Sequence, residues 1–479
     1  MLSLDRPLWT AQTLAEITGG LWIGNPPVDS DIRGIELFPG RVERGDLFVV
    51  TNPETWGDKF KNTIASMPVV ERHAASAVMS DNLPGKLPKG LPILQVPNTR
   101  QALTKLAQYS RERLFGRVIG VTGSVGKTTT REMLHHVLMR QGRTSTTEAN
   151  SNTSPGVALS VARTPADSQF VVYELAHGAL SRKSKIARPH IALITEVALA
   201  HLDDFPTLDA IIDHKAEIFD GIEPGGTAIL NRDSATFGRL KEHADRRLIP
   251  NLVTFGADPL ANVRLTHWLP MDRSSVIQVA VNGKRESYQL PIAGRHMAMN
   301  SLAALATVLA LDADWRQAAA DLATFAPVHG RMEEATITLD GGDVRIINDA
   351  FNANPASMIA ALATLAAIAP PSGGRRIAVL GEMKELGAES ERLHAELAEP
   401  VINAKVTRVF TLGDSLTALR GALPASLLAP HAGSVAELAE ILRKELAPGD
   451  VVLIKGSHGS HVGDVVPRLL DSNAKTPLH

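Results

Sequence analysis

The feature that most constrains this chain is a segment rich in glycine and threonine between an apolar run and a helical pattern. The apolar run is Val118–Val121, and the segment Gly123–Thr130, with the sequence GSVGKTTT, follows it. Apolar residues then recur at helical spacing from Met133 to Leu138. This order of strand, glycine loop and helix is the context of a phosphate-binding loop. Backbone N–H groups of such a loop converge on phosphate oxygens, and the helix dipole favours the anion.

Two residues of this loop have the side chains that a nucleotide requires. Lys127 is placed to neutralise the β- and γ-phosphates, and the hydroxyl of Thr128 is placed to bind Mg²⁺. The common form has its first glycine five residues before the second, where this chain has Val121. The alternative is a tight turn that contains Gly-Lys-Thr by coincidence, but the strand, the helix and three consecutive threonines argue against it. We therefore predict a nucleotide site here.

Short, continuously apolar runs alternate with helical stretches along most of the chain. This pattern is typical of buried parallel strands with helices on both faces of the sheet, and it predicts an α/β fold. From it we predict three domains: a small mixed α/β domain at residues 1–115, a central parallel-sheet domain like that of P-loop ATPases at 116–328, and a C-terminal Rossmann-like α/β domain at 329–479. The predicted strands are 47–50, 93–96, 118–121, 170–173, 191–194, 228–230, 253–255, 344–347, 377–380, 409–412 and 451–454.

Composition narrows the class of protein. The chain has 479 residues and a formal net charge of −2, so it has no basic field for nucleic acid or an anionic membrane. It contains no cysteine, which excludes disulfides and thiolate sites. It has no signal-peptide pattern at its start and no run of roughly 18 apolar residues. We expect a cytoplasmic monomer that acts on small molecules, without a nucleic-acid or membrane partner.

Three polar residues follow the predicted strands of the central domain. Glu174 closes one strand, at the edge where ligands bind in open α/β sheets, so its carboxylate could hold Mg²⁺. The alternative is a solvated acid at a strand end. His201 follows the next strand, where a lone histidine is more often structural than a ligand. Lys215 lies one helix further on and, taken alone, is typical of an exposed helix lysine.

Glycine follows three predicted strands of the C-terminal domain within one or two residues. These glycines are Gly381, Gly413 and Gly456. A glycine at such a position lets a ligand or another backbone approach closely.

Together these pieces resemble the Mur ligase family over nearly the whole chain. The phosphate loop has the family's form Gly-x-x-Gly-x-x-Gly-Lys-Thr-Thr. Within the family the similarity is greatest to members that add D-alanyl-D-alanine to UDP-N-acetylmuramoyl-tripeptide. The other matching segments occur in the family's order, and they are 45–49 (GDLFV), 150–152 (NSN), 200–202 (AHL), 215–219 (KAEIF), 294–296 (GRH), 330–333 (GRME), 348–355 (NDAFNANP), 381–387 (GEMKELG) and 455–457 (KGS).

The resemblance implies roles for individual residues. Thr128 and Glu174 would hold the Mg²⁺ shared with the phosphates, and His201 would serve a second metal ion. Lys215 matches a lysine that is commonly carbamylated in the family, which would make it a further metal ligand. The implied catalytic residues are Lys127, His201, Lys215 and Arg331. The implied ATP-binding residues are Gly123, Ser124, Gly126, Lys127, Thr128, Thr129, Asn300 (at the adenine), Arg331 and Asp349.

The resemblance also implies a reaction. The first domain would bind a carboxylate substrate of the UDP-sugar type, and the third would bind an amine. The carboxylate would attack the γ-phosphorus of ATP to give an acyl-phosphate and ADP, and the amine would then displace phosphate. Such a reaction depends on positioning and on neutralising oxyanion charge. The expected cofactors are ATP and Mg²⁺.

Several departures from the family's pattern fall where the substrate would be bound. Phe38-Pro39-Gly40 replaces an Asp-Ser-Arg element, Thr153-Ser154-Pro155 follows Asn152 in place of a second asparagine, Leu175–Gly178 replaces a Gly-Ala-Asn-His-like element, and Met297 replaces an asparagine. One interpretation is drift within a cell-wall ligase, and the other is a paralogue that ligates a different carboxylate outside peptidoglycan synthesis.

A nucleotide-driven switch or motor is an alternative of another class, but it leaves Lys215 and the C-terminal matches without a role. A purely structural protein is a further alternative, but it would not need the phosphate loop.

Overall fold

A computed structural model describes residues 8–28, 32–58, 60–83, 90–147 and 153–471 of the chain. It forms two compact units. The first comprises Met1–Val121, Leu138–Ala192 and Glu217–Thr227, and the second comprises Thr122–Val137, Leu193–Ala216 and Ala228–His479. Among the described residues, no helix combines the length and the apolar character needed to cross a membrane.

The first of three sheets lies in the N-terminal part of the first unit. Four of its strands are parallel, and β1 pairs antiparallel with β5 at one edge. Phe48, Val78 and Ile93 pack in its core. In the order β1-β5-β4-β3-β2, the strands are β1 (Leu21–Ile23), β2 (Gly34–Glu36), β3 (Asp46–Val49), β4 (Ala77–Ser80) and β5 (Ile93–Gln95). The helices of this region are α1 (Ala11–Thr18), α2 (Pro53–Trp56), α3 (Met67–Arg72) and α4 (Thr99–Glu112).

The second sheet has nine strands, in the order β14-β13-β12-β11-β10-β9-β6-β8-β7. They are β6 (Arg117–Thr122), β7 (Thr144–Thr146), β8 (Phe170–Glu174), β9 (Ile191–Ile194), β10 (Thr227–Asn231), β11 (Asn251–Gly256), β12 (Val263–Pro270), β13 (Ser275–Val281) and β14 (Lys284–Leu290). The helices are α5 (Lys127–Leu138), α6 (Ser154–Ala162), α7 (Leu180–Ala187), α8 (Leu208–Ala216), α9 (Phe237–Arg246), α10 (Arg295–Ala310) and α11 (Trp315–Asp321).

The third sheet lies in the second unit and is parallel except for the antiparallel pair β15–β16. Val379, Phe410 and Ile454 lie in its core. In the order β15-β16-β19-β17-β18, the strands are β15 (Glu333–Leu339), β16 (Gly342–Asn348), β17 (Arg376–Gly381), β18 (Arg408–Leu412) and β19 (Val451–Lys455). The helices are α12 (Pro355–Ala367), α13 (Ser390–Ala395), α14 (Ala398–Asn403), α15 (Thr417–Ala422), α16 (Val435–Glu445) and α17 (Val465–Asp471).

All eleven predicted strands are present, and the predicted α/β fold is confirmed. Eight of the nineteen strands in the described residues were not predicted, and they are β1, β2, β4, β7, β12, β13, β14 and β15. Burial alternates along β12, β13 and β14, because only one face of each strand is covered, so these three lack a continuous apolar run.

Candidate active site

The phosphate loop joins the end of β6 at Thr122 to the start of α5 at Lys127. Two of its glycines are required by close contacts. A Cβ at Gly123 would lie 2.1 Å from the hydroxyl oxygen of Thr195, and one at Gly126 would lie 2.4 Å from Oδ1 of Asn300. Both glycines also have positive φ, at 149° and 88°. The loop backbone therefore passes closer to its neighbours than any larger residue allows.

Residues that follow β9 hold the loop in this shape. The N–H groups of Ser124 and Val125 donate to the carbonyl of Glu196 at 2.6 and 3.4 Å. The hydroxyl of Ser124 donates to the carbonyl of Ala198 at 2.8 Å, and that of Thr195 donates to the carbonyl of Val125 at 2.5 Å. These supporting residues were not predicted, although they follow a predicted strand at the edge of the sheet where ligands bind.

The side chain of Glu196, which belongs to this support, is half-buried and hydrogen-bonded. Its carboxylate accepts from Nδ2 of Asn231 and from the hydroxyl of Ser234, both at 2.6 Å. Burial raises the pKa of Glu196 more than these two hydrogen bonds lower it. Glu196 therefore links the phosphate loop, which bonds to its backbone carbonyl, to the turn after β10, which bonds to its carboxylate.

The two cations of the predicted nucleotide site lie at the loop. Nζ of Lys127 donates to the carbonyls of Gly123 and Ser124 at 2.8 and 3.4 Å. Nη2 of Arg331 donates to the hydroxyl of Thr128 at 3.0 Å, and its guanidinium lies 4.3 Å from the centroid of the Phe351 ring. The structure thus brings together two residues that are far apart in the sequence.

Asn300 lies on α10 with its side chain against Gly126. Its Nδ2 also donates to the sulfur of Met297 at 3.8 Å. Met297 stands where the family's pattern has an asparagine, so this difference from the family lies beside the phosphate loop.

Asp349 supports the segment that carries Arg331. Its Oδ1 accepts from the N–H of Met332 at 3.2 Å, and its Oδ2 pairs with Nζ of Lys455 at 2.6 Å. Both side chains are buried. Nearby, burial and the charge of Lys455 lower the pKa of His296 to about 4, against the opposing effect of Asp349. Lys455 was not among the predicted site residues.

Glu174 is the last residue of β8 and is only 4% exposed, so it is not the solvated strand-end acid of the alternative interpretation. It is in register with Val121 on β6, immediately before the phosphate loop begins. Its N–H donates to the hydroxyl of Thr147 at 3.0 Å.

His201 contacts a loop that follows β17. Its Nδ1 is hydrogen-bonded to the carboxylate of Glu385, and the N–H of Leu202 donates to the carbonyl of Glu385 at 2.8 Å. The pKa of His201 is lowered to about 4, first by burial and then by the charges of Lys127 and Lys215. The imidazole is therefore neutral at physiological pH, which is the form that binds metals. Glu385 was missed as a site residue.

Lys215 is buried, with 1% of its surface exposed, so its interpretation as an exposed helix lysine is wrong. The helix α8 turns this face inward, and the ring of the preceding His214 stacks on Phe205 with centroids 4.3 Å apart. A buried ammonium is costly unless it is paired, which distinguishes Lys215 from an ordinary surface lysine.

The glycines after the strands of the third sheet make room for the chain itself. A Cβ at Gly381 or Gly456 would lie 2.5 or 2.7 Å from the hydroxyl oxygen of Ser460. A Cβ at Gly413 would lie 2.3 Å from Cγ of Glu382. At each of these glycines, the backbone is therefore approached closely by a side chain from the same edge of the third sheet.

Comparison with known proteins places this site in a family. The family model of the Mur ligase middle domain matches residues 121–308, and that of the Mur ligase glutamate ligase domain matches residues 330–458. A ligase from Synechocystis named UDP-N-acetylmuramoyl-tripeptide–D-alanyl-D-alanine ligase is 33% identical over 95% of both chains. This chain belongs to the Mur ligase family.

Solved structures agree with this assignment. The Mur ligase is similar to MurF from Acinetobacter baumannii, with a TM-score of 0.82, 27% identity and coverage of 97% of this chain and 99% of the other. MurF from Thermotoga maritima, solved in complex with ADP, matches with a TM-score of 0.76, 26% identity and coverage of 92% and 99%. The chain therefore has the three-domain Mur ligase fold. It is an ATP-dependent, ADP-forming carbon–nitrogen ligase. This activity argues against a nucleotide-driven switch or motor and against a purely structural protein.

The segment Phe38-Pro39-Gly40, in which this Mur ligase differs from its family, forms a short turn that the buried carboxylate of Glu36 stabilises. Phe38-Pro39-Gly40 lies in this turn, and the ring of Phe38 is half exposed. Oε1 of Glu36 accepts from the N–H groups of Leu37 and Phe38 at 2.7 and 3.0 Å, and its Oε2 pairs at 3.3 Å with Arg163, the C-cap residue of α6. The turn is therefore an ordered feature.

The other departures of this Mur ligase flank α6 and α7. Thr153-Ser154-Pro155 begins α6, with proline in the first turn. In the element after Glu174, the fully buried Lys183 donates from Nζ to the carbonyls of Ala176 and His177 at 2.6 and 2.8 Å. Asn150-Ser151-Asn152, one of the matching segments, lies outside the described residues.

Proposed function

We propose that this Mur ligase joins D-alanyl-D-alanine to UDP-N-acetylmuramoyl-tripeptide, through an acyl-phosphate, in peptidoglycan synthesis. The observation that carries the proposal is the hydrogen bond between Arg331 and Thr128. It brings Arg331, which lies just before β15, to the phosphate loop, where charge develops as the γ-phosphoryl group is transferred. The substrates are inferred from relatives that bear this activity in their names and match nearly the whole chain.

The chemistry has two steps. A carboxylate oxygen of the tripeptide attacks the γ-phosphorus, the bond from this phosphorus to the β–γ bridging oxygen breaks, and ADP leaves. The free amine of the dipeptide then attacks the acyl carbon, loses a proton, and expels inorganic phosphate from the tetrahedral intermediate. Because the protein adds no covalent step, its contribution is to position the groups and to neutralise oxyanion charge.

In this proposal, the phosphate loop and its cations position the phosphates and neutralise most of the oxyanion charge. Backbone N–H groups of the segment Gly123–Thr129 cradle the phosphates, and Lys127 and Arg331 neutralise the transferred group. Asn300, which lies against Gly126, contributes to binding on the adenine side. Asp349 acts by holding the backbone beside Arg331 in place.

The residues fit the Mg²⁺ that the family implies. The Thr128 hydroxyl and the Glu174 carboxylate are hard oxygen donors of the kind that Mg²⁺ prefers. The neutral imidazole of His201 and a carbamate on the buried Lys215 would serve a second ion. Bound metal would neutralise charge on the phosphates and on the developing acyl-phosphate.

Three further predictions belong to this proposal. The domains are residues 1–115 for the carboxylate substrate, 116–328 for ATP and 329–479 for the amine. The enzyme is a cytoplasmic monomer, since ATP and a UDP-sugar are cytoplasmic metabolites. Its partners are small molecules, with no nucleic acid and no membrane.

A paralogue with another carboxylate substrate is the second candidate. It is favoured by the ordered turn at Phe38-Pro39-Gly40, which has an exposed aromatic ring where the family has a charged element. The reaction type would be the same.

The test is ATP-dependent phosphate release with UDP-N-acetylmuramoyl-tripeptide and D-alanyl-D-alanine, beside a panel of other carboxylates and amines. Lys127→Ala is the control for contaminating activity, and Lys185→Ala, at an exposed position of α7, is its matched control. Turnover with the cell-wall pair that Lys127→Ala abolishes is expected. Turnover only with another pair would refute the cell-wall assignment and support the paralogue.

A further inference from the structure

A hairpin turn of the second unit contacts the third sheet through an ion pair. The turn comprises residues 271–274, between β12 and β13. Nη1 of Arg345, on β16, pairs with Oδ1 of Asp272 at 2.6 Å, and its Nη2 donates to the carbonyl of Asp272 at 2.8 Å. Asp272 lies in the segment matched by the middle-domain model, 121–308, and Arg345 lies in the segment matched by the glutamate ligase model, 330–458. The contact therefore joins the two matched segments.

Four charged side chains alternate in sign at this contact. Glu334, on β15, accepts from Nε of Arg345 at 3.1 Å with one carboxylate oxygen and from Nη2 with the other. Nη1 of Arg273 lies 3.4 Å from the carboxylate of Glu334, and its Nε lies 3.7 Å from that of Asp272. Each cation is therefore beside both anions, and the turn and the sheet each supply one charge of each sign. Such complementarity fixes the register in which two surfaces dock.

The guanidinium of Arg345 is removed from solvent. Its side chain is 8% exposed, whereas that of Asp272 is 64% exposed. A pair between two exposed side chains contributes little to stability, but a buried cation that loses one of its anions is not fully rehydrated. Replacing Asp272 should therefore weaken the contact, and because this residue lies in an exposed turn, the core of either sheet should stay intact.

Noncovalent contacts decide where the third sheet lies relative to the phosphate loop. The chain connects the two matched segments through residues 309–329, and rotation about such a connection is a common form of domain movement. An equilibrium between a docked and an undocked arrangement shifts by the factor that each lost contact contributed.

The ion pairs lie close to the arginine of the active site. Glu334 is three positions after Arg331, at the start of β15, and Arg331 donates to the hydroxyl of Thr128. We propose that Asp272 is a positioning residue of the ligase reaction, which acts through Arg345 to hold the start of β15 where Arg331 reaches the phosphate loop. This inference rests on the role of Arg331 in the proposed function.

The first test measures the docked arrangement. Because the chain contains no cysteine, Lys241→Cys on α9 and Lys444→Cys on α16 create two unique sites for spin labels, both at exposed positions. With ADP and Mg²⁺ present, Asp272→Asn should broaden the distance distribution measured by double electron–electron resonance, or add a second distance. Asp340→Asn, in the exposed turn between β15 and β16, is the matched control and should leave the distribution unchanged. An unchanged distribution in both Asp272→Asn and Asp272→Ala would overturn the proposal.

The second test determines whether Asp272 acts through Arg331. Phosphate release is measured for the wild type, Asp272→Asn, Arg331→Ala and the double variant. Asp272→Asn should lower kcat/KM for ATP about threefold to tenfold, because a smaller fraction of the enzyme has Arg331 at the phosphate loop. In the Arg331→Ala background, the same substitution should change kcat/KM by less than about twofold, since the residue through which it acts is already lost. Equal factors in the two backgrounds, or a wild-type rate for Asp272→Asn, would refute the positioning role.

A failure of the proposed function would give a different result. The wild type would then release no phosphate with the cell-wall pair, and the four proteins would be compared with the carboxylate and amine that do support turnover. The distance measurement requires neither substrate. An unchanged distance distribution in the Asp272 variants therefore counts against the positioning role whichever substrates the enzyme joins.

Discussion

Arg331 donates a hydrogen bond from Nη2 to the hydroxyl of Thr128 at 3.0 Å, across 203 positions of the sequence. The same guanidinium lies over the ring of Phe351, and Asp349 binds the backbone of the next residue, Met332. The arginine is therefore held from two sides at the mouth of the phosphate loop. This arrangement suits a group that must meet developing negative charge without moving.

Replacing Arg331 should affect catalysis more than folding. We expect Arg331→Ala to lower kcat/KM for ATP by about 100-fold or more, because a preorganised cation is lost from the phosphates. Arg331→Lys keeps the charge but not the planar donor geometry, so its loss should be smaller, about tenfold. Phosphate-release kinetics measure both effects. Arg285→Ala, on the exposed face of β14, is the matched control, and an equal rate for Arg331→Ala would contradict the assigned role.

A methyl group on Gly126 should damage nucleotide binding. It would lie 2.4 Å from Oδ1 of Asn300, at a residue with φ of 88°. We expect the affinity of Gly126→Ala for ADP to fall at least tenfold, and its stability to fall by about 1–2 kcal/mol through backbone strain. Calorimetric titration with ADP and urea denaturation measure the two effects.

The control for this substitution is Gly238→Ala. Gly238 lies in α9, and an added Cβ there would have no heavy atom within 4 Å. This variant should bind ADP as the wild type does and gain about 0.5–1 kcal/mol from helix propensity. Wild-type ADP affinity in Gly126→Ala would show that the loop tolerates a side chain at this glycine.

His190 should make the protein less stable in mild acid. Its Nδ1 accepts a 2.9 Å hydrogen bond from the N–H of Val118, which a protonated imidazole cannot do. Burial, followed by the charges of Arg111 and Arg117, lowers the pKa of His190 from 6.5 to about 4. The unfolded chain therefore takes up the proton first, so the stabilisation is complete above pH 6.5 and is lost as the pH falls from 6.5 to 4.

We expect this residue to account for roughly 1–2 kcal/mol of stability lost between pH 7 and pH 5. His190→Asn retains an acceptor that does not titrate, so its urea midpoint should fall less over the same interval. The exposed His267, replaced by asparagine, is the control. Parallel pH profiles for the wild type and His190→Asn would rule out this contribution.

The buried carboxylate of Glu36 should be important for stability. It accepts from the N–H groups of Leu37 and Phe38 and pairs with Arg163, so Glu36→Ala leaves three donors without their acceptor. We expect a loss of about 2–4 kcal/mol in the free energy of unfolding. Glu36→Gln retains a neutral acceptor and should lose less. The exposed Glu54→Ala is the control; equal urea midpoints for all four proteins would exclude the role.

The parts of the fold that were predicted from the sequence depend on patterns of residues that are neighbours along the chain. Strands buried on both faces are continuous apolar runs, so β6, β8 and β9 were visible without any tertiary information. The strands β12, β13 and β14 were not, because a half-covered strand has only an alternating pattern. The burial of Lys215 was missed for a similar reason. Lysine side chains are usually exposed to solvent, and only the packing of α8 buries this one.

The sequence by itself determined the phosphate loop and the α/β fold of this Mur ligase, because both depend on residues that are neighbours along the chain. Only the tertiary structure decided that Arg331 reaches Thr128 and that Glu385 contacts His201. These contacts join residues from distant parts of the chain. They depend on how the helices and loops pack, and no local spacing encodes that packing.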